Sequence, residues 1–375
     1  MPITRFGFIT TLGIIVSLFI ILVSYSICVD LNFHLIKGNQ FFNKMINNFI
    51  SFIVNYKNKF SYYLLLISLF ALSIYGMSNF RIDNYLTDEV NTNSRLYKEM
   101  SFFNDNFGGI KPVTFKIPIE KNVNIKSLLN FEKFLQSNDF SLDFSLTSLV
   151  ENPEFVNKSM LKKITKDNYK IQTRMNDLGS KYSFAVFEKI KLKAKELALD
   201  LKVGGAGYLF DQVSNQLTRE ILYGLLIAIL TIGVLFVLIN GFNLNYFFVA
   251  LIPNVFPILV AIGILCLTNF YFSLSNAFIF AIVFGLIVDD SIHILSSYRF
   301  NISRGMDKEL AISNSMNITA RAVIKTTIVV IVSLLPLLLS EFKSVSQLSI
   351  ITIVSAVIAI VFDLLYLPKL IKKFL

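Results

Sequence analysis

The chain has 375 residues, of which 54% are hydrophobic, and it carries a formal net charge of +10. This hydrophobic fraction exceeds that of an ordinary soluble domain and excludes a purely soluble protein. Basic residues beside apolar segments orient membrane spans, so the charge does not indicate a nucleic-acid partner.

Apolar residues are concentrated in blocks of about 20, the length that crosses a hydrocarbon core of about 30 Å. We predict seven membrane spans, at residues 6–29, 60–78, 217–240, 246–268, 273–298, 318–340 and 345–368. A long polar stretch, residues 80–216, separates the second span from the third. The predicted fold is therefore an α-helical polytopic membrane protein with about seven transmembrane helices and one extramembranous domain.

The first span resembles the last one. The stretch ITRFGFITTLGIIVSLF from Ile3 aligns without gaps to VSQLSIITIVSAVIAIV from Val345. Internal repeats are common in transporters, and spans two to seven with the polar stretch form one such unit. We therefore expect residues 1–30 to be the end of a missing first repeat, and the chain to be a half-molecule.

Basic residues predict the orientation in the membrane. Residues 31–59 form a predicted cytoplasmic amphipathic linker, because the sequence from Gln40 spaces apolar residues at helical intervals opposite Asn and Lys. The segments expected in the cytoplasm carry Lys37, Lys44, Lys57, Lys59, Arg299, Arg304, Lys308, Lys369, Lys372 and Lys373. The short segments on the other side carry only Arg5 and Lys343. This asymmetry predicts an inner (plasma) membrane protein with residues 80–216 extracytoplasmic and the C-terminus cytoplasmic.

The extracytoplasmic domain mixes strand and helix patterns. VTFKIPI from Val113 and YKIQTRM from Tyr169 predict strands, and LKVGGAGYLF from Leu201 predicts a strand with a glycine break. SLLNFEKFLQ from Ser127 and SFAVFEKIKLKAKELAL from Ser183 predict helices. We therefore predict an α+β class with a small antiparallel sheet. The sequence contains no metal cluster, nucleophile motif or phosphate loop, so we expect no enzyme activity, bound cofactor or metal.

Residues 217–375 are predicted to form a bundle of five transmembrane helices. Two acids, Asp289 and Asp290, interrupt the fifth span, which belongs to this bundle. A charge at mid-bilayer costs roughly 2.5–3.5 kcal/mol on insertion scales, and intramembrane acids are functional by default. Adjacent acids also repel each other, so we expect at least one of them to bind a proton near physiological pH. His293 lies three and four residues further on and can meet both acids on one side of the helix. Gly285 is expected to allow close approach of a neighbouring helix.

The sixth span provides possible partners for these acids. Thr319, Thr326, Ser333 and Ser340 recur every seven residues and predict a polar seam that packs against a neighbouring helix. Lys325, beside that seam, either pairs with an acid or extends its ammonium group towards the cytoplasm. An alternative for the acids themselves is that they form a structural ion pair or simply lie at the membrane edge.

These motifs resemble those of a known superfamily. GLIVDDSIHI, residues 285–294, resembles the GxxxDD-like motif carried by the fourth and tenth helices of the resistance-nodulation-division superfamily. The loop SRGMDKELAISNSM, the following RAVIKTT, IPNVFPIL from Ile252 and NFGGIKP from Asn106 resemble its branch of predicted exporters and MMPL-like lipid transporters. The resemblance covers nearly the whole chain as the C-terminal half of that pattern, its sixth to twelfth helices.

The resemblance implies proton-driven export of a hydrophobic or lipid-like substrate, powered by the proton motive force without a cofactor. Asp289 and Asp290 would form the proton relay, supported by His293 and by the polar residues Lys325, Thr326 and Thr327. Residues 80–216 would be a porter-like domain that moves substrate outward. The implied partners are the lipid bilayer, a lipid or other hydrophobic substrate, and a first-half polypeptide or a second copy of the chain.

Two other functions remain open at this point. One is a non-transporting sterol- or lipid-sensing membrane protein, because sensing domains share this arrangement of helices. The other is an accessory subunit of protein export, which resembles the same superfamily.

Overall fold

A computed structural model describes residues 2–30, 44, 48, 59–118, 125–143, 164–165, 168–267 and 270–375. The linker predicted over residues 31–59 lies almost wholly outside these described residues. The chain divides into two compact units, Met1–Phe49 and Ile50–Leu375. The first unit contains helix α1, Pro2–Asp30, and the second contains every other element described below.

Six helices in the described part of the chain are long and apolar enough to cross a membrane. They are α1, α6 (Ala206–Ile239), α7 (Asn245–Cys266), α8 (Leu274–Ser303), α9 (Lys308–Leu334, extended by a 3₁₀ turn at Leu335–Leu339) and α10 (Lys343–Val361, which continues to Phe374). The predicted polytopic membrane protein is confirmed. The span predicted at 60–78 is helix α2, Lys59–Met77, in which the apolar segment Leu64–Met77 is shorter than the other six. The seventh span therefore stays a prediction.

The continuation of α10 is not a regular helix. A π-helical segment, Phe362–Tyr366, joins α10 to the final helix α11, Leu367–Phe374. Such π segments insert an extra residue per turn and occur often at functional sites. Here the segment contains an acid, Asp363, which is fully buried.

Apolar side chains of α7, α8 and α10 form the core of the membrane bundle. Helix α8 packs against α6, α9 and α10, and helix α7 packs against α2, α6 and α10. Phe280 stacks on Phe272 with ring centroids 5.1 Å apart and fills the end of the core. The helix that carries the two predicted acids thus lies at the centre of the packing.

Two helices approach each other closely where α2 meets α7, away from Gly285. A Cβ atom added to Gly76 would lie 1.8 Å from the carbonyl oxygen of Gly263, and one added to Gly263 would lie 2.4 Å from the Cα of Ser73. The Ser73 hydroxyl donates to the Leu259 carbonyl at 2.8 Å across the same contact. No described neighbour lies within 4 Å of a Cβ added to Gly285, so the close approach predicted at this residue is not observed within the described part of the chain.

The described strands between the second and third predicted spans form one antiparallel sheet. Its strands are β1 (Lys111–Pro118), β2 (Phe140–Leu142), β3 (Ile164–Thr165), β4 (Asn168–Met175) and β5 (Lys202–Gly204). The order is β2-β4-β1-β5, with β3 paired to β4, and Phe115 faces Ile171 in the central register. Alternate residues of β1 and β4 are buried, as expected when one face of a sheet covers a core.

Helices cover the buried face of this sheet. Helix α4 (Ile125–Gln136) and helix α5 (Ser180–Glu196) contribute apolar side chains, and a further helix, α3 (Arg95–Asn106), precedes β1. Phe115 packs edge-to-face on Phe131 of α4 and on Phe140 of β2. We call the sheet and these helices the α+β layer, and their elements lie close to where the sequence predicts them.

One predicted strand is wrong in its second half. The strand predicted over residues 201–210 ends at Gly204, and α6 begins at Ala206. Gly205 between them has φ +103°, a left-handed conformation that glycine adopts readily and that ends the strand. Helix α6 then runs without a break from the sheet into the bundle, so the predicted boundary at 216/217 falls inside one helix.

The α+β layer joins the bundle through the segment that follows α2. Ile82 pairs with Phe272, just before α8, and Val90 pairs with Phe342, just before α10. Between them, the Asp88 carboxylate accepts a hydrogen bond from the Tyr271 hydroxyl and lies 3.2 Å from the Lys343 ammonium group. The layer is therefore held at the end of the bundle where α8 and α10 begin.

Candidate functional site: the acids of the membrane bundle

Asp289 and Asp290 lie half-way along α8, which begins at Leu274 and ends at Ser303. A rise of about 1.5 Å per residue puts them roughly 20 Å from either end of the helix. Both line a small cavity of about 140 Å³ between α8, α9 and α10. The remaining polar lining comes from Thr326, Thr327 and Thr352, and the rest is apolar.

Asp289 faces the open side of the bundle. Its Oδ1 lies 3.5 Å from Nε2 of His293, and the two side chains are 69% and 63% exposed. The spacing of four residues predicts this pair, because residues four apart are neighbours on a helix. The pair presents a carboxylate and an imidazole in the middle of an apolar surface.

Asp290 points inward from the same turn of α8. It is only partly exposed, and its carboxylate interacts with the Thr327 hydroxyl of α9. Thr327 is itself buried and donates to the Val323 carbonyl at 2.8 Å. The structure thus brings Asp289 together with His293 and Asp290 together with Thr327, whereas among the described residues His293 forms no ion pair with Asp290, the second acid that it was expected to meet.

A third acid, Asp363, lies deeper than the first two, and the sequence reasoning missed it. Its Oδ1 accepts a hydrogen bond from the Ser291 hydroxyl of α8 at 2.6 Å, and both side chains are fully buried. Asp290, next to Ser291 in the chain, interacts electrostatically with Asp363. One available signal was that the last predicted span contains this single acid among apolar residues.

Buried polar atoms extend from the cavity to Asp363 along α10. Thr352 lines the cavity, Ser355 follows three residues later, and Asp363 follows eight residues after that on the same side of the helix. Within the described residues, Thr352 Oγ1, Ser355 Oγ and Asp363 Oδ2 have no hydrogen-bond partner. Buried polar groups are usually paired, so this row stands out, although only the Asp363 carboxylate in it can bind a proton.

Of the remaining predicted residues on α9, Thr326 lines the cavity, whereas Lys325 and Ser333 do not. Lys325 is exposed and does not line the cavity. It forms no ion pair with the described carboxylates, so the predicted alternative in which it pairs with an acid is not observed. Thr326 lines the cavity, but its hydroxyl donates to carbonyls of its own helix at Ala322 and Val323. Ser333 likewise donates to Val330. For these two residues of the predicted seam, no hydrogen bond to a neighbouring helix is observed among the described residues.

One comparison with known proteins identifies a family. The model of the MMPL family matches residues 146–372, which include β4, α5 and every membrane helix from α6 onward. The match covers 227 of the 375 residues and contains all three intramembrane acids. A search of the curated proteins finds no match to the chain.

Proposed function

Because the chain belongs to the MMPL family, whose members are membrane transporters of the resistance-nodulation-division type and not enzymes, we propose that it takes part in proton-driven export of a hydrophobic or lipid-like substrate. The observation that carries the proposal is the pair Asp289 and Asp290 at mid-helix beside a cavity. Intramembrane acids that face one another or a cavity are the usual proton carriers of transporters.

The three acids differ stepwise in exposure, and this order suggests a path. Asp289 with His293 is open to the surroundings, Asp290 lies at the cavity, and Asp363 is enclosed with Ser291. We propose that a proton reaches Asp289 first, passes to Asp290 and is shared with Asp363. Each transfer removes a negative charge from an increasingly dry site, where an unpaired charge is most costly.

The energy available from this step is sufficient to move helices. A proton that crosses a 100 mV potential releases about 2.3 kcal/mol, and two conformations of a transporter differ by only a few kcal/mol. Neutralising Asp290 would change how α8 packs against α9 and α10. Helix α6 packs against α8 and runs into the α+β layer, so we propose that this layer is the porter-like domain that responds.

The exposed pair of Asp289 and His293 supports a further polypeptide as partner. A carboxylate facing hydrocarbon is unfavourable by roughly 2.5–3.5 kcal/mol on insertion scales. We propose that a first-half polypeptide or a second copy of the chain covers this side of α8. Such a partner would also enclose the proton path.

The basic residues support the proposed orientation. Arg299, Arg304, Lys308 and Lys372 lie at the end of the bundle opposite the α+β layer. We propose that this end faces the cytoplasm and that the layer is extracytoplasmic, in the inner (plasma) membrane. Fusions of a reporter enzyme to Leu375 and to the layer would report the side of each directly.

The test of the transport proposal is an efflux assay in liposomes with an imposed pH gradient. We expect Asp289→Asn and Asp290→Asn to abolish export of a fluorescent lipid or hydrophobic dye, because neither amide can carry a proton. Asp363→Asn should reduce it strongly while preserving the hydrogen bond from Ser291. The matched control is Asp200→Asn, an exposed acid of the α+β layer. Undiminished efflux in both Asp289→Asn and Asp290→Asn would contradict proton coupling through these acids.

A further inference from the structure

A second and larger cavity lies where the α+β layer meets the membrane helices. Its volume is about 780 Å³. The turn after α2 contributes Phe80 and Arg81, the first turns of α5 contribute Lys181 and Phe184, and α6 contributes residues 212–219. The cavity is separate from the acids of α8 and shares no lining residue with their site.

Positive charge distinguishes this cavity. Arg81, Lys181 and Arg219 all line it, and none of them forms an ion pair within the described part of the chain. Two acids lie close by: Glu220 accepts a hydrogen bond from the lining residue Gln216 at 2.7 Å, and the buried Asp83 accepts one from the backbone N–H of Lys181 at 3.0 Å, so the three lining cations outnumber the neighbouring acids by one. These three cations and the amide side chains of Gln212, Asn215 and Gln216 line one cavity, and their N–H groups are donors suited to phosphate oxygens.

The lining also includes a buried acceptor. Asn215 Oδ1 is buried and has no hydrogen-bond partner among the described residues. Buried side-chain oxygens normally accept a hydrogen bond, and a hydroxyl group on a ligand would supply one. The lining therefore offers donors for an anion and an acceptor for a neighbouring hydroxyl.

The cavity lies at the level where two helices leave the membrane. Helix α2 ends at Met77, three residues before Phe80, and the apolar run of α6 begins at Ile221, two residues after Arg219. Below the cavity, Ile74 and Tyr75 of α2 and Tyr223 and Leu226 of α6 are exposed. Both helices pack against α7, so their apolar surfaces continue from the cavity along the bundle.

We propose that this cavity binds the phosphate headgroup of an anionic lipid, with the acyl chains lying along α2 and α6. A soluble phosphate would use the cations but not the apolar surfaces that continue from Phe80 and Phe184. A zwitterionic lipid would bring its own positive charge to Arg81, Lys181 and Arg219. That the bound lipid is transported rests on the proposed transport function. That the cavity binds the lipid does not.

The experiment measures binding to the full chain in neutral detergent with fluorescently labelled lipids. We expect phosphatidylglycerol to bind at least tenfold more tightly than phosphatidylcholine with the same acyl chains. Substituting the three cations together, as Arg81→Gln, Lys181→Gln and Arg219→Gln, should weaken phosphatidylglycerol binding at least tenfold. The matched control replaces three exposed lysines of the α+β layer, as Lys189→Gln, Lys195→Gln and Lys202→Gln. It therefore has the same net charge as the triple variant of the cavity. This control should bind like the wild type.

Several outcomes would overturn the proposal. Equal binding of the two lipids by the wild-type chain would do so even if the triple variant did not fold. Equal weakening in the control would show that net charge, and not the cavity, attracts the lipid. Displacement of the lipid by inorganic phosphate at micromolar concentration would assign the cavity to a soluble anion. Because these measurements need neither a pH gradient nor the acids of α8, they stand apart from the efflux test.

Discussion

Lys111 is a charged residue enclosed within the α+β layer. Its ammonium group lies 2.7 Å from Asp177 Oδ1 and 2.9 Å from Asp211 Oδ1, and the Lys111 and Asp211 side chains are fully buried. Asp211 belongs to α6, whereas Lys111 begins β1. Asp177 also accepts hydrogen bonds from the backbone and hydroxyl of Thr87, in the segment that joins the layer to the bundle. This group of charges therefore links the sheet, α6 and the junction.

Removing the central cation should be strongly destabilising. We expect Lys111→Met to lower the free energy of unfolding by about 3–5 kcal/mol, because two carboxylates would stay buried without their partner. Thermal unfolding of the purified full chain measures this change. Lys202→Met, an exposed lysine on the neighbouring strand β5, is the control and should unfold like the wild type. Similar melting of the two variants would contradict a structural role for the buried ion pairs.

Asp88 should give the junction a dependence on pH. Burial raises the pKa of its carboxyl above the ordinary value, although the hydrogen bond from Tyr271 and the charge of Lys343 act in the opposite direction. A raised folded-state pKa means that the folded chain favours the protonated acid. Its contribution to stability is then present at low pH and is lost as the pH rises through that pKa.

We therefore expect Asp88→Asn to raise the melting temperature, relative to the wild type, more at about pH 8 than at about pH 3.5, which lies below the ordinary carboxyl pKa of about 3.9. At high pH the wild-type chain must bury the ionised Asp88 carboxylate, which the neutral amide of the variant avoids. At low pH the wild-type acid is itself neutral, so the variant gains less. The measurement is thermal unfolding of both proteins across this range, with Asp200→Asn to report the effect of removing an exposed acid. An equal difference in melting temperature at both ends of the range would contradict the raised pKa.

At the scale of elements, the contact of α2 with α7 depends on two glycines. A methyl group at Gly263 would meet the backbone of Ser73, which cannot yield as a flexible side chain would. We expect Gly263→Ala to destabilise the chain by about 1–3 kcal/mol, the usual cost of overpacking. Gly285→Ala adds the same methyl group in open space on α8 and should be neutral or slightly stabilising. Equal unfolding temperatures for the two variants would contradict close packing of α2 on α7.

Several elements were predictable because their signals are local. Alternating apolar residues identify β1 and β4, and unbroken apolar blocks identify the long helices. Asp289 and Asp290 were identified because charged pairs are costly in such blocks. Asp363 was missed because its role depends on a contact with Ser291, and a single sequence does not show which helices meet.

Two expectations about helix packing are not observed among the described residues. A seven-residue repeat drifts by only about 20° per heptad on a straight α-helix, and the seam on α9 instead lies on an outer face, where Thr326 and Ser333 are exposed. Its hydroxyl groups also have carbonyl acceptors within their own helix, which satisfies them without a neighbour. Gly285 and Gly263 look alike in sequence, and only the arrangement of α2 and α7 shows which one needs to be small.

For the whole molecule, the exposed side of α8 leads to a prediction about assembly. Leu286 lies on this side and is 44% exposed, and Asp289 follows it one turn later. In a variant with Cys28 and Cys266 replaced by Ser, we expect Leu286→Cys, labelled with a benzophenone maleimide and irradiated, to cross-link to another polypeptide in native membranes by insertion into a C–H bond, because the proposed partner covers this side. Ile227→Cys, exposed on α6, is the control and should not cross-link there.

Native mass spectrometry of the extracted complex would identify the partner. A second copy of the chain or a first-half polypeptide would agree with the cross-link. A lone chain, together with no product from Leu286→Cys, would contradict the proposed enclosure of the proton path.

Helix α6 has a mechanical consequence that follows from its length. Its 34 residues extend over roughly 50 Å at about 1.5 Å per residue, so a tilt of about 10° displaces one end by roughly 9 Å relative to the other. The far end is fixed to β1 through Asp211 and Lys111, while the membrane end packs against α8. If the repacking that we propose around Asp290 tilts α6 through its contact with α8, the length of α6 would amplify that tilt at the α+β layer.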